Sequence, residues 1–242
     1  MPVAITFKMD DRSVRIALQE LPGQARFATV LALTRVAKKA QAASQDEMRR
    51  VFDRPTPYTM RSLAVRPATK TDLEAEVLFR DFAGKGTPAR KYMFPGVYGG
   101  ARHLKRFERA LAARDILPSG MMAMPGEGAK LDAYGNMSRG QIVKILSYLK
   151  ASSDPTQNRG ANASRGTRRK DRYFVGGVGR AKHFHPGIYM GGKKVTPVLS
   201  FGNEAGYRPI FAFHDIVRRT VEASFDECFA EALRHALATA RP

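Results

Sequence analysis

Acidic residues are scarce in this chain, cysteine is almost missing, and no long apolar run occurs. The 242 residues hold 22 Asp+Glu against 41 Lys+Arg, a formal net charge of +19. An excess of that size repels itself in the compact state and attracts polyanions. Nucleic acid, an acidic protein surface or an anionic membrane are the counterparts it suits. The single cysteine, Cys228, excludes an internal disulfide framework and fits a reducing compartment. Lying among Phe225, Phe229 and Leu233 at helical spacing, it reads as a small buried hydrophobe. No stretch of about 18 apolar residues is present, so no membrane span is expected. The opening residues turn polar by position 8 and lack the apolar core of a secretory signal. A hydrophobic content of 43% over this length still suffices for one or two domains with a buried core.

The usual signatures of chemistry are missing as well. Ser119, Ser138 and Ser200 stand in no G-x-S-x-G setting. His183 and His185 form an H-x-H, but no second histidine pair or cysteine pair accompanies it, so a zinc site is not expected. The glycine-rich Gly176–Arg180 lacks the Gly-Lys-Ser/Thr ending of a phosphate loop and reads as a flexible hinge. Candidate carboxylate pairs are Asp10/Asp11, Glu74/Glu76 and Asp226/Glu227. Glu74 and Glu76 share one face of a predicted strand, as a two-metal nuclease could use, but such a pair is more often a solvated, charge-balanced strand face, and it is read so here. No helix-turn-helix, zinc-finger or RNP-type motif and no fixed-period repeat is found. No catalytic residue, cofactor or metal is expected, and the chain is read as a non-enzyme.

What is present is a sequence of amphipathic elements. Val3, Ile5 and Phe7, then Val14, Ile16 and Leu18, alternate around a turn at Met9–Arg12 and predict two short strands. A long helix is predicted over Gln24–Phe52, with Phe27, Val30, Leu31, Thr34, Ala37 and Gln41 on one face. Beyond Ala40 it turns polar, so its second half is expected to project or to pack on a neighbour. Pro55 and Pro57 stop it. Residues 59–66 and 72–80 predict an antiparallel hairpin, and 81–95 a basic loop. A helix follows over 101–114, with Leu104, Phe107 and Leu111 inward. Then come a turn at Tyr134-Gly135-Asn136 and a helix over 138–150. Ser138 and Gln141 match a capping box there. Strand-like runs at 184–190, 195–201 and 207–213, with a Gly191-Gly192 turn, precede a final helix over 215–240.

Between them, residues 152–182 are polar, glycine-rich and basic, an exposed arm with little to bury beyond Tyr173-Phe174-Val175. Arg165, Arg168, Arg169, Lys170 and Arg172 are its densest cations, and Tyr173 adjoins them. Such a cluster neutralises phosphates without reading sequence, and its aromatics could stack on unpaired bases. It also suits a loop that orders against another subunit. The expected division is a core domain over 1–150, the arm over 151–182, and a hairpin plus helix over 183–242 packed on the core. The expected fold class is α+β: a small, mostly antiparallel sheet, a long N-terminal helix against it, central helices and a C-terminal helix.

Two stretches carry a family resemblance. One is the helix Ala32-Leu33-Thr34-Arg35-Val36-Ala37-Lys38-Lys39-Ala40 followed by Pro55, Tyr58, Leu63 and a charged hairpin. It resembles minor tail and tail-completion (neck) proteins of tailed bacteriophages, the Z-type minor tail group in particular. The other runs through Gly99-Gly100-Ala101-Arg102, Lys105-Arg106-Phe107-Glu108, Leu117-Pro118, Leu131-Asp132, Gly135-Asn136 and Gly140-Gln141-Ile142. It is similar to a segment of prophage-encoded proteins without an assigned role. The resemblance implies a virion component at the head-tail junction or upper tail, made in the host bacterial cytoplasm. It implies a homo-oligomeric ring, six-fold by analogy, touching neighbouring connector or tail-tube proteins, with genomic DNA in the lumen and no membrane. It transfers no catalytic residue. The alternative is a phage-encoded accessory protein that binds nucleic acid without sequence preference.

Overall fold

The computed structural model describes residues 4–8, 22–80, 87–158, 172–203 and 206–239. The fold is α+β, as the sequence patterns predict, with small antiparallel sheets and long helices near both chain ends. Its division differs from the expected one. Residues 1–100 and 207–242 form one unit, and 101–206 form a second unit inserted between them.

In the first unit, strands β1 (Ala4–Lys8), β2 (Leu63–Arg66) and β3 (Glu74–Phe79) make an antiparallel sheet in the order β1-β3-β2. The hairpin register pairs Leu63 with Phe79 and Val65 with Val77. Along β3 the side chains alternate, so that Ala75, Val77 and Phe79 are buried while Glu74, Glu76 and Leu78 lie partly open. Helix α1 (Pro22–Val51) begins on a proline and ends before Pro55 and Pro57. Its second half does not project. Ala40, Ser44 and Met48 are fully buried there, and the Gln41 and Gln45 amides donate to the carbonyls of Leu63 and Met60, at 2.9 and 3.1 Å. Gln41 and Gln45 are thus tied to the chain that follows the helix, while Asp46 and Glu47 pair with Arg49 and Arg50 along the helix itself.

A single turn, α2 (Pro57–Met60), is capped by the Thr56 hydroxyl. Helix α3 (Ala89–Tyr98) replaces part of the expected 81–95 loop; residues 81–86 of that loop fall outside the described ones. Pro95 and Gly96 argue against a helix in the sequence. Burial of Ala89 and Met93 in the core sustains it, and the Gly96 carbonyl is used by the amides of Ile210 and Phe211, both at 2.8 Å. Those two bonds, with Pro209 lacking an N–H, also explain why 207–213 forms no strand beyond the bridge of Tyr207 to Gly100. Chain exit and return are thus paired, with N–H···O distances of 2.9 Å in both directions.

The C-terminal helix α6 (Phe213–Ala238) lies antiparallel to α1: Lys39 meets Glu227, and Arg35, one turn earlier, meets Glu231. Their seam is built of small residues. Ala28, Ala32, Ala232 and Ala236 are buried, with Phe27, Leu31, Phe229 and Leu233 packed around them. Cys228 is buried in the same helix row as a free thiol. Toward the sheet the core changes to large side chains, with Phe79, Phe211 and Phe213 in mutual contact at 4.9–6.5 Å between ring centroids. Because α6 buries one full face on α1, the chain end joins the chain start. Amphipathic periodicity marks a buried face without naming its partner.

In the inserted unit, β4 (Met121–Pro125), β5 (Arg172–Gly176), β6 (Gly187–Gly191) and β7 (Thr196–Asn203) form an antiparallel sheet in the order β4-β7-β6-β5. Helices α4 (Arg106–Ala112) and α5 (Arg139–Tyr148) supply Leu111 and Ile145 to a core with Tyr173, Ile188, Leu199 and Phe201. The predicted turn at 134–136 is present: the Asp132 carboxylate accepts the amides of Tyr134 and Asn136, both at 2.9 Å, and Gly135 has φ +77°. The capping box is half made. Ser138 Oγ accepts the Gln141 amide at 3.3 Å, while the Gln141 side chain bridges the Lys130 N–H and Gly128 O. The expected second N-terminal strand, residues 14–18, lies outside the described residues.

Candidate interaction surfaces

Positive charge is divided unevenly between the units. Residues 101–206 hold 19 Lys+Arg against 7 Asp+Glu, and the remaining residues 22 against 15. Most of the surplus therefore belongs to the inserted unit, which also carries both anchors of the basic arm.

The outgoing anchor is built by hydrogen bonds. The Asp154 carboxylate accepts the Thr156 hydroxyl at 2.6 Å, the Thr156 amide at 2.9 Å and the Gln157 side chain at 3.1 Å. These bonds hold the Asp154 carboxyl below the ordinary aspartate range. Ser147 of α5 donates to the Gln157 carbonyl, and Asn158 exchanges two bonds with the Ser152 backbone. The incoming anchor is β5, which pairs with β6 and, among the described residues, ends the sheet.

Of the predicted arm residues, Arg165, Arg168, Arg169 and Lys170 lie outside the described residues. Arg172 opens β5. Tyr173 corrects the expectation of an exposed contact residue. It is 6% exposed, belongs to the core beneath α5, and meets Tyr148 edge-to-face at 6.1 Å. A ring buried in this way is not available to stack on a base. Strand alternation decides it: position 173 faces the helices, and position 174 faces away from them.

The sheet face away from the helices carries an aromatic group that the sequence patterns left unassigned. Phe174 and Tyr189 are cross-strand partners with near-parallel rings at 5.6 Å. Phe184 lies over both, at 5.6 and 5.0 Å, and the exposed His183 covers Phe184 at 4.2 Å. The Tyr189 hydroxyl donates to the His185 carbonyl at 3.0 Å. Exposed Arg180 and Lys182 flank the group from a tight turn, closed by the Gly177 N–H on Ala181 O at 2.9 Å. That turn, with φ +85° at Gly177, stands where the sequence suggested a loose hinge. The signal missed was the i, i+15 pairing of Phe174 with Tyr189, which only the hairpin register reveals.

Beside α5 an open groove of ≈ 220 Å³ is lined by Lys130, Ser138, Lys144, Tyr173 and Met190 among others. A second groove, ≈ 400 Å³, lies between β1 and α6 in the first unit and is lined by Ile5, Thr6, Val217, Val221 and Glu222 among others.

The strongest electrostatic arrangement is internal to the inserted unit. Glu108 of α4 has a fully buried side chain. Its carboxylate accepts both Arg102 guanidinium nitrogens at 2.6 and 2.7 Å, the Lys105 amide at 2.6 Å and the Ala123 amide at 3.0 Å. Burial pushes this carboxyl up, but the bonds from Arg102, Lys105 and Ala123, with the Arg102 charge, outweigh it and leave the group below the ordinary glutamate range. Burial and the Arg102 charge push the neighbouring Lys105 down. Every acceptor site of Glu108 is used, so the cluster clamps β4 to the start of α4.

The remaining candidates stay apart. Glu76 is paired with Arg66 and Thr6, and among the described residues no three of His, Cys, Asp and Glu come together as a metal site. Asp10 and Asp11 lie outside the described residues. No helix among the described residues is long and apolar enough to cross a membrane. Comparison with family models, curated proteins and solved structures finds no match for this chain.

Proposed function

We propose that this protein is a structural component of a tailed-phage virion at the head-tail junction or upper tail, assembling as a homo-oligomeric ring that joins neighbouring rings around the DNA path. The observation that carries this reading is the split of charge within one chain: an inserted unit holds most of the cationic surplus, and the last helix of the other unit is locally acidic. A ring needs unlike surfaces on one subunit, and a DNA path favours a positive lining. The phage setting itself comes from the sequence resemblance. Localisation to the virion, contact with connector or tail-tube proteins and the lack of an enzymatic role belong to the same proposal. Antibody labelling of purified particles tests it. The expected result is label at the neck or upper tail of each particle; particles that lack the protein refute it.

A second reading, a nucleic-acid-binding accessory protein, is favoured by one observation, the half-buried Phe174 and Phe184 rings, backed by the buried Tyr189 and flanked by exposed Arg180 and Lys182. Aromatic faces next to cations are how single strands are held without reading sequence. Under this reading log Kd for single-stranded DNA varies with log salt, and Arg180→Ala with Lys182→Ala lowers the slope by roughly 0.7 for each phosphate no longer neutralised. An unchanged slope removes it.

A further inference from the structure

Between Thr220 and Leu233, helix α6 carries Glu222, Asp226, Glu227 and Glu231 and no Lys or Arg, a local reversal in a chain of net charge +19. Two of these acids are answered by α1: Lys39 lies 3.0 Å from Glu227 and Arg35 3.4 Å from Glu231. Glu222 and Asp226, one helical turn apart and exposed, have no partner among the described residues. The nearest bases on α6 precede this stretch: Arg218, which pairs with Asp215 at 2.7 Å, and Arg219.

Alongside the free acids runs an apolar row at four-residue spacing, Val221, Phe225, Phe229 and Leu233. All four are half-buried, and Leu237 continues the row at 44% exposed. Phe225 and Phe229 stack at 6.1 Å. The row begins in the groove against β1, which Val221 and Glu222 both line. One surface therefore combines aromatic side chains with two carboxylates that have no ion-pair partner among the described residues.

The inserted unit carries its chemical complement. From Met137 to Ala151 the chain has Arg139, Lys144 and Lys150 and no acid. On α5, Val143 and Tyr148 are 43% and 37% exposed on either side of Lys144. Lys130 and Lys144 line the groove beside this helix.

We propose that the acidic, apolar row of α6 in one copy docks on the Lys130–Lys144 groove beside α5 of a second copy. The proposal rests on the homo-oligomer reading above and gives it a contact. Apolar burial between Phe225, Phe229 and the Val143–Tyr148 face supplies affinity, and the opposed charges fix orientation. The two surfaces differ, so the contact is heterologous. Each copy retains one free face of each kind until a ring closes.

Charge reversal tests this in the full chain by sedimentation velocity. One variant carries Glu222→Lys and Asp226→Lys, the other Lys130→Glu and Lys144→Glu. All four side chains are exposed, and circular dichroism checks that both variants fold. Wild type self-associates, more weakly in high salt. Each variant alone associates less tightly by roughly tenfold per reversed charge. An equimolar mixture regains association, because each variant supplies the face that the other no longer has. Three results overturn the contact: wild type monomeric at every concentration, either variant associating as wild type, or a mixture that stays dissociated. Loss of DNA binding in the lysine variant with association intact assigns the groove to nucleic acid and also overturns it. Particles labelled at the neck, in the face of any of these results, leave the virion reading standing.

Discussion

Glu108→Ala removes the centre of the clamp in the inserted unit. The buried carboxylate accepts four donors: two guanidinium nitrogens of Arg102, the amide at the start of α4 and the amide of Ala123 in β4. Its loss orphans two backbone N–H groups and leaves Arg102, with a side chain only 16% exposed, without this counter-ion. Breaking a buried pair from one side costs about 3–5 kcal/mol. For a unit of about 100 residues this lowers the melting temperature by roughly 12–25 °C. Scanning calorimetry of the full chain is the assay, with the transition of the inserted unit shifted. The pH dependence gives an independent check. The folded pKa of Glu108 is held below the ordinary value of 4.5. Its contribution is therefore fully present above that value and is lost as pH falls through the folded pKa. In Glu108→Ala this part of the acid loss disappears. A melting shift worth less than about 1 kcal/mol, or an acid limb identical to wild type, refutes the account of the clamp.

Further outcomes concern the first unit. Burial, with Tyr58 nearby, pushes the Tyr92 hydroxyl up to about 12, so its ionisation by ultraviolet titration lags behind that of exposed tyrosines. The raised value means stability fully present below the unfolded tyrosine pKa and lost as pH rises through about 12. Among the described residues the buried Tyr92 hydroxyl makes no hydrogen bond of good geometry, only approaches to Thr59 and Ser62 that pull its pKa down, so Tyr92→Phe changes stability by less than about 1 kcal/mol in urea melts; a larger loss means that those approaches are full bonds. Ala232→Leu overfills the seam where Ala28 and Ala32 meet α6, and costs about 1–3 kcal/mol in the same melts. A neutral result there shows that the two helices separate freely.

Local rules determined a good part of this protein from sequence. The long helix, the 63–66/74–79 hairpin, the Asp132 turn, the Ser138 cap and the final helix all follow from periodicity and from residues with special backbone or capping chemistry. The net charge of +19 is likewise set by sequence alone. Where local chemistry gave a misleading answer, tertiary burial overruled it. Helix α3 runs through Pro95 because Ala89 and Met93 are sealed in the core, and one face of the polar half of α1 packs down because Ser44 and Met48 are buried and Gln41 and Gln45 find carbonyls from another segment.

Three features were decided only by packing between distant segments. The chain end returns to the chain start, because an amphipathic row specifies a buried face and leaves its partner open. Tyr173 enters the core while Phe174 faces away, since strand register assigns sides and one residue of slip exchanges them. Glu108 meets Arg102 and Ala123 only once α4 lies against β4. Sequence sets which surfaces and charges exist, and the pairing of remote elements sets which of them remain for partners. That second step depends on side-chain shape and hydrogen-bond closure, which no local window contains.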